Sequence, residues 1–116
     1  MAAGPKAKVT PRTQLTNGQV VKVTGKGFAA GETLVIAECN SDVMILAESA
    51  CSVNNERKVT TTRKGLVPAT LLTLHTGAIG EGGSCGTRKA DRKCYIGIAS
   101  SDLSQFALVE VFFAVP

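Results

Sequence analysis

Apolar side chains in this chain recur at every second position and almost nowhere at the spacing of an amphipathic helix. Val21 and Val23, Leu34 and Ile36, and Ile96 and Ile98 mark runs rich in Val, Ile, Leu and Thr. In an extended strand, residues two apart share a face, so each pair points to one side of a sheet. Clusters of Gly, Asn, Pro and Ser separate the runs, which is the all-β pattern. Strands are expected over 8–10, 19–25, 33–39, 58–63, 69–74, 94–99 and 107–115, with a short extra arm at 43–46. Lys22, Thr24, Glu38 and Glu110 are expected on solvated faces, which suits an antiparallel sandwich better than a parallel sheet. About seven strands in roughly 100 residues is the size of an immunoglobulin-like β-sandwich.

The punctuation agrees with that count. Asn17-Gly18 can take positive φ, and Ala29-Ala30-Gly31 ends a bend before the next run. Pro11 follows a strand end, and Pro68 delays the start of its strand or places it at an edge. Residues 76–86 contain five glycines and are expected to form a flexible loop. Residues 1–6 are expected as an unpaired tail and 7–116 as one domain. With 116 residues, 44% hydrophobic and only 4% aromatic, the core has to be aliphatic.

Four cysteines add covalent constraint. Cys39 lies near Cys51 in sequence, and Cys85 near Cys94. Four cysteines allow three pairings. The local one gives two staples, each worth roughly 2–3 kcal/mol in the chain-entropy picture. Zinc is the weaker alternative, since no CxxC is present, and free thiols are the third. Disulfides place the chain in an oxidising compartment, so export is expected. The start, Met1-Ala-Ala-Gly-Pro, has no apolar run and reads as a mature chain with an added Met. No stretch is long and apolar enough to span a bilayer.

The candidate chemistry is sparse. His75 is the only histidine, and no G-x-S-x-G elbow accompanies it, so a hydrolytic triad is not supported. The glycines of 77–86 lack the Lys-Ser/Thr of a phosphate loop. Arg88, Lys89, Arg92 and Lys93 crowd the Cys85–Cys94 loop. With a net charge of +4, they form either a solvated loop or a site for an anionic partner. Met44, Ile45 and Leu46 form an apolar run that is either a cleft lip or the side of a short strand.

The stretches Val9-Thr-Pro, Leu15-Thr-Asn-Gly-Gln-Val-Val-Lys-Val, Gly25-x-Gly27-Phe, Ala30-Gly-Glu-Thr and Ile36-Ala-Glu-Cys39 together resemble the neocarzinostatin family. The likeness continues through Cys51, Cys94-x-Ile-Gly97 and the closing hydrophobic strand. It implies a seven-stranded immunoglobulin-like sandwich with an open cleft, in a secreted, monomeric, non-catalytic apoprotein. The implied cargo is a non-covalently bound enediyne chromophore, an apolar polycyclic molecule that cuts DNA once released. It also implies the pairs Cys39–Cys51 on the cleft floor and Cys85–Cys94 beyond it. Tyr95, Gly97 and Ala99 are implied for the cleft wall; from the residues of this chain, Met44 and Leu46 are expected as apolar contacts and Ile79 as a roof. Family members carry an amide where Tyr95 stands. Their chromophore-clasping aromatics fall on Ser41 and on 53–56, where this chain has no ring. The alternative function is a chromophore-free interaction module that docks an anionic partner through Arg88, Lys89, Arg92 and Lys93.

Overall fold

A computed structural model of the chain describes residues 4–40 and 50–115. Seven strands form two facing antiparallel sheets. One sheet has three strands in the order β1 (Lys6–Thr10), β2 (Val20–Lys26) and β5 (Val67–Thr73). The other has the order β4 (Arg57–Thr60), β3 (Thr33–Cys39), β8 (Lys93–Ser100) and β9 (Phe106–Phe112). A small ladder pairs β6 (Gly77–Ala78) with β7 (Ser84–Cys85), and a 3-10 turn spans Lys89–Asp91. The all-β expectation holds. No helix among the described residues is long and apolar enough to cross a membrane.

Alternation builds the core. Val21 and Val23 from β2, Leu34 and Ile36 from β3, and Ile96 and Ile98 from β8 all point between the sheets and are buried. Leu72, Leu74, Val111 and Phe113 complete an interior that is almost wholly aliphatic. The segment after β1 crosses to the other sheet, where Leu15 N–H donates to Phe112 O at 3.1 Å and Ala114 N–H donates to Leu15 O at 2.8 Å. That crossing closes one open side of the sandwich.

Two features, the 76–86 segment and Glu38, differ from the sequence expectation. Residues 76–86 do not form an open loop, because β6 and β7 pair and Ile79 N–H donates to Gly83 O at 3.1 Å. Asn40 Nδ2 clamps the turn by donating to Ile79 O and Glu81 O, at 2.9 and 3.0 Å. Pro68 lies within β5 rather than before it, and of the two alternatives for this proline the edge strand is the one observed, with the partner β2 bulging between Val23 and Gly25 beside it. Glu38 is on the core face and fully buried rather than solvated. It lies two and four residues beyond Ile36 and Leu34, so strand parity carries it inward with them. The expected arm at 43–46 lies outside the described residues.

Candidate ligand groove

The outer face of the four-stranded sheet is concave, and cross-strand register explains its shape. One row across the sheet reads Lys58, Val35, Ala99, Phe106, and the next reads Ala37, Gly97, Leu108. Small residues occupy the two central strands while larger ones stand on the edges. The result is a trough of about 410 Å³, within the range of small-molecule sites. Its floor is Val35, Ala37, Gly97 and Ala99. Leu103, Phe106 and Leu108 form one wall, and Cys39, Cys51, Ser52, Val53 and Glu56 form the other. Four of the seven large exposed hydrophobics among the described residues (Val53, Leu103, Phe106, Leu108) lie along it. Apolar exposure is therefore concentrated at this site.

Leu103 is held there under strain. Its φ of 59° is in the left-handed region, which is costly for a branched side chain. The tight turn after β8 enforces it, with Leu103 N–H donating to Ser100 O at 3.0 Å. Asp102 braces the turn by accepting from Ser104 N–H, Ser104 Oγ and Ser100 Oγ at 3.0, 2.7 and 2.8 Å. These donors, led by the Ser104 backbone N–H, hold the Asp102 carboxyl down at about 2.

The two disulfides, Cys39–Cys51 and Cys85–Cys94, have the expected local pairing and lie on opposite faces of one sheet. Cys39 shares strand parity with Val35 and Ala37, so its bridge borders the trough and packs with Ala50 and Tyr95. Cys94 shares parity with Ile96 and Ile98, so its bridge is sealed in the main core.

Of the residues singled out from sequence, the structure brings Cys39, Cys51, Gly97 and Ala99 together along the trough. Tyr95 is one row further on, opposite Cys39, where it packs on the disulfide with Lys93 Nζ 5.9 Å from its ring centroid. Ile79 is buried in the hydrophobic core and does not line the trough. Met44 and Leu46 lie outside the described residues. Val35, Val53, Leu103, Phe106 and Leu108 were not singled out from sequence. Parity with Gly97 and Ala99 becomes a signal only once strand pairing is known.

The loop closed by Cys85–Cys94 holds its four cations at the surface, yet it is organised around a carboxylate. Asp91 Oδ1 accepts the N–H groups of Thr87 and Arg88 at 2.9 and 2.8 Å, and Oδ2 accepts the Ser84 and Thr87 hydroxyls. Burial pushes the Asp91 carboxyl up, but these donors outweigh it and hold it at about 2. Arg92 lies 6.0 Å from the Phe112 ring centroid, and Arg88 and Lys89 are exposed.

Residues 7–113 match the neocarzinostatin family. The chain belongs to that family. It is 32% identical over 111 residues to the antitumor antibiotic C-1027 apoprotein of Streptomyces globisporus, covering 91% of this chain and 76% of the relative. Actinoxanthin from the same organism matches at 32% over 111 residues, with the same coverage. Among solved structures, macromomycin superposes with a TM-score of 0.74 at 26% identity, covering 96% of this chain and all 100% of its own. Apokedarcidin shares the fold, with a TM-score of 0.64 at 21% identity over 97% of this chain and 100% of its own. The apoproteins of this neocarzinostatin-type family are non-catalytic carriers, and the chain is not an enzyme.

Proposed function

We propose that this neocarzinostatin-family protein is a secreted carrier that shields an apolar polycyclic ligand of the enediyne type in the trough, without covalent attachment. The observation that carries the reading is the small-residue floor of Ala37, Gly97 and Ala99 between walls whose exposed apolar side chains are Val53, Leu103, Phe106 and Leu108, in a space of about 410 Å³. A flat ligand laid there contacts backbone and methyl groups below and Phe106, Leu108 and Val53 at the sides. Such a site excludes water from a labile polycycle, and its affinity comes mainly from apolar area. Two disulfides fit an extracellular setting. DNA enters as the target of the released ligand, and the protein acts as a monomer.

The experiment has two parts. Purified from its producer, the protein should carry a chromophore that organic solvent extracts. The ligand-free protein should bind pyrene, and raising the floor should weaken that binding. A Cβ at Gly97 would meet Leu108 Cδ2 at 3.4 Å and Cys39 Sγ at 3.6 Å, both ordinary contacts. Gly97→Ala should therefore keep the fold while Ala99→Leu, filling the next row, abolishes pyrene binding. Unchanged pyrene affinity in Ala99→Leu would remove the trough from consideration.

A second reading rests on the four exposed cations Arg88, Lys89, Arg92 and Lys93 clamped into one short loop. It makes the loop a docking point for an anionic partner. Salt-sensitive binding to heparin, lost when Arg88 and Lys89 become Ser, is its test.

A further inference from the structure

Glu38 and Asn55 present an unusual hydrogen-bond account. Glu38 points between the sheets at the end of the sandwich and is fully buried. Its Oε1 accepts twice, from the His75 backbone N–H at 2.9 Å and from Asn55 Nδ2 at 3.2 Å. Among the described residues its Oε2 is buried with no partner, and so is Asn55 Oδ1. The amide cannot be turned round to mend this. Its Nδ2 also donates to Thr73 O at 2.6 Å, and a reversed amide would set oxygen against that carbonyl. Two planar groups are thus joined by one hydrogen bond, and the remaining oxygen of each is orphaned. If Glu38 were ionised, both orphans would be acceptors and neither could be satisfied.

We propose that Glu38 is a positioning residue held as the neutral acid, its proton on Oε2 donated to Asn55 Oδ1 so that acid and amide close a two-bond ring seating the 52–56 wall of the trough. The division of labour on the carboxyl fits this state. Oε1 accepts two N–H groups as a carbonyl oxygen would, leaving Oε2 for the hydroxyl. Desolvation raises the Glu38 pKa to about 7, against the smaller opposing effects of the His75 and Asn55 donors.

The pair is placed where it can act on the trough. Cys51 and Ser52 are tied to β3 by the disulfide and by Ser52 N–H donating to Glu38 O at 2.8 Å, and Arg57 begins β4. Between these anchors, Asn55 supplies the side-chain hydrogen bonds among the described residues, while Ser52, Val53 and Glu56 line the trough. Loss of the proton puts a carboxylate against Asn55 Oδ1 in a dry site, which favours water entry and release of the wall. Titratable and charged groups on the surrounding elements are Lys93 and Tyr95 on β8, His75 after β5, Glu56, Arg57 and Lys58 at β4, and Lys22 and Lys26 on β2. None of these side chains hydrogen-bonds to Glu38. Tyr95 packs on the disulfide, Lys22 and His75 are exposed, and Arg57 Nη1 donates to Leu71 O at 3.3 Å.

The effect on ligand rests on the carrier reading; the proton itself does not. The Glu38 side-chain carboxyl carbon is followed by NMR from about pH 4 to about pH 9, and the hydrogen-exchange protection of amides 52–56 is measured over the same range. Glu38→Gln, whose amide donates to Asn55 Oδ1 at every pH, is measured alongside. The carbon should titrate near 7, and protection of 52–56 should fall above that point in the native sequence but stay level in Glu38→Gln. Pyrene affinity should weaken by about fivefold from pH 7 to pH 8 in the native sequence and remain flat in the variant. Titration of the carbon in the ordinary carboxylate range, or equal protection profiles in the two proteins, overturns the proposal. Absence of pyrene binding at every pH defeats the carrier reading instead, and the carbon and exchange data then decide the proton.

Discussion

Two residues are held in states that their neighbours enforce. Leu103 adopts a left-handed backbone (φ 59°) and stands 39% exposed against the trough. Leu103→Gly relieves that strain, which costs an L-residue roughly 1–2 kcal/mol, and the flexibility of glycine cancels part of the gain. The variant is expected to be more stable by about 0.5 kcal/mol in urea denaturation yet to bind pyrene more weakly. Glu38 contributes a pH dependence. Its pKa is raised from 4.5 to about 7 in the folded state. Between those values the folded chain keeps a proton that the unfolded chain has lost, so stability falls as pH rises. The contribution is complete below about pH 4.5 and gone above about pH 7, a drop of roughly 3 kcal/mol. Glu38→Gln should flatten that slope, as read from urea midpoints across the window.

At the scale of elements, the two disulfides should behave differently although each closes a short loop. Cys85–Cys94 is sealed in the aliphatic core, so replacing both residues with Ala should cost about 3 kcal/mol without reshaping the trough. Replacing Cys39 and Cys51 removes part of the trough wall, so probe affinity should fall along with stability. The β4–β5 turn is set by one glycine. Gly65 has φ 73°, and a Cβ there would lie 2.0 Å from Phe28 O. Phe28 N–H donates to Gly65 O at 3.2 Å, so the two backbones cannot separate cheaply. Gly65→Ala should lower stability by about 3 kcal/mol in thermal or urea unfolding.

Over the whole molecule, charge is unevenly placed. Lys6, Lys8, Lys22 and Lys26 share the exposed face of the three-stranded sheet, and β1, β2 and β5 contain no carboxylate. Lys6 and Lys26 stand directly opposite each other, an arrangement that like charges disfavour. Lys26→Glu should stabilise the fold by about 0.5 kcal/mol at low salt, with the gain shrinking as salt is added. The opposite side of the molecule carries the trough, so the cationic face and the ligand face are separate surfaces. Period-two alternation was enough to specify the seven sandwich strands and the aliphatic core, though not the β6–β7 ladder, because it depends only on neighbours in sequence. Cysteine spacing favoured local pairing, and the family resemblance agreed. The trough was only partly legible: Gly97 and Ala99 were visible, whereas Leu103, Phe106, Leu108 and Val53 were not. Their meeting depends on which strands pair and in what register, a long-range choice that no local pattern encodes. Glu38 shows the same division. Its parity with Leu34 and Ile36 was present in the sequence, but only packing against Asn55, Thr73 and His75 from other elements made burial of a carboxyl possible, since a dry acid needs donors that the chain brings from afar.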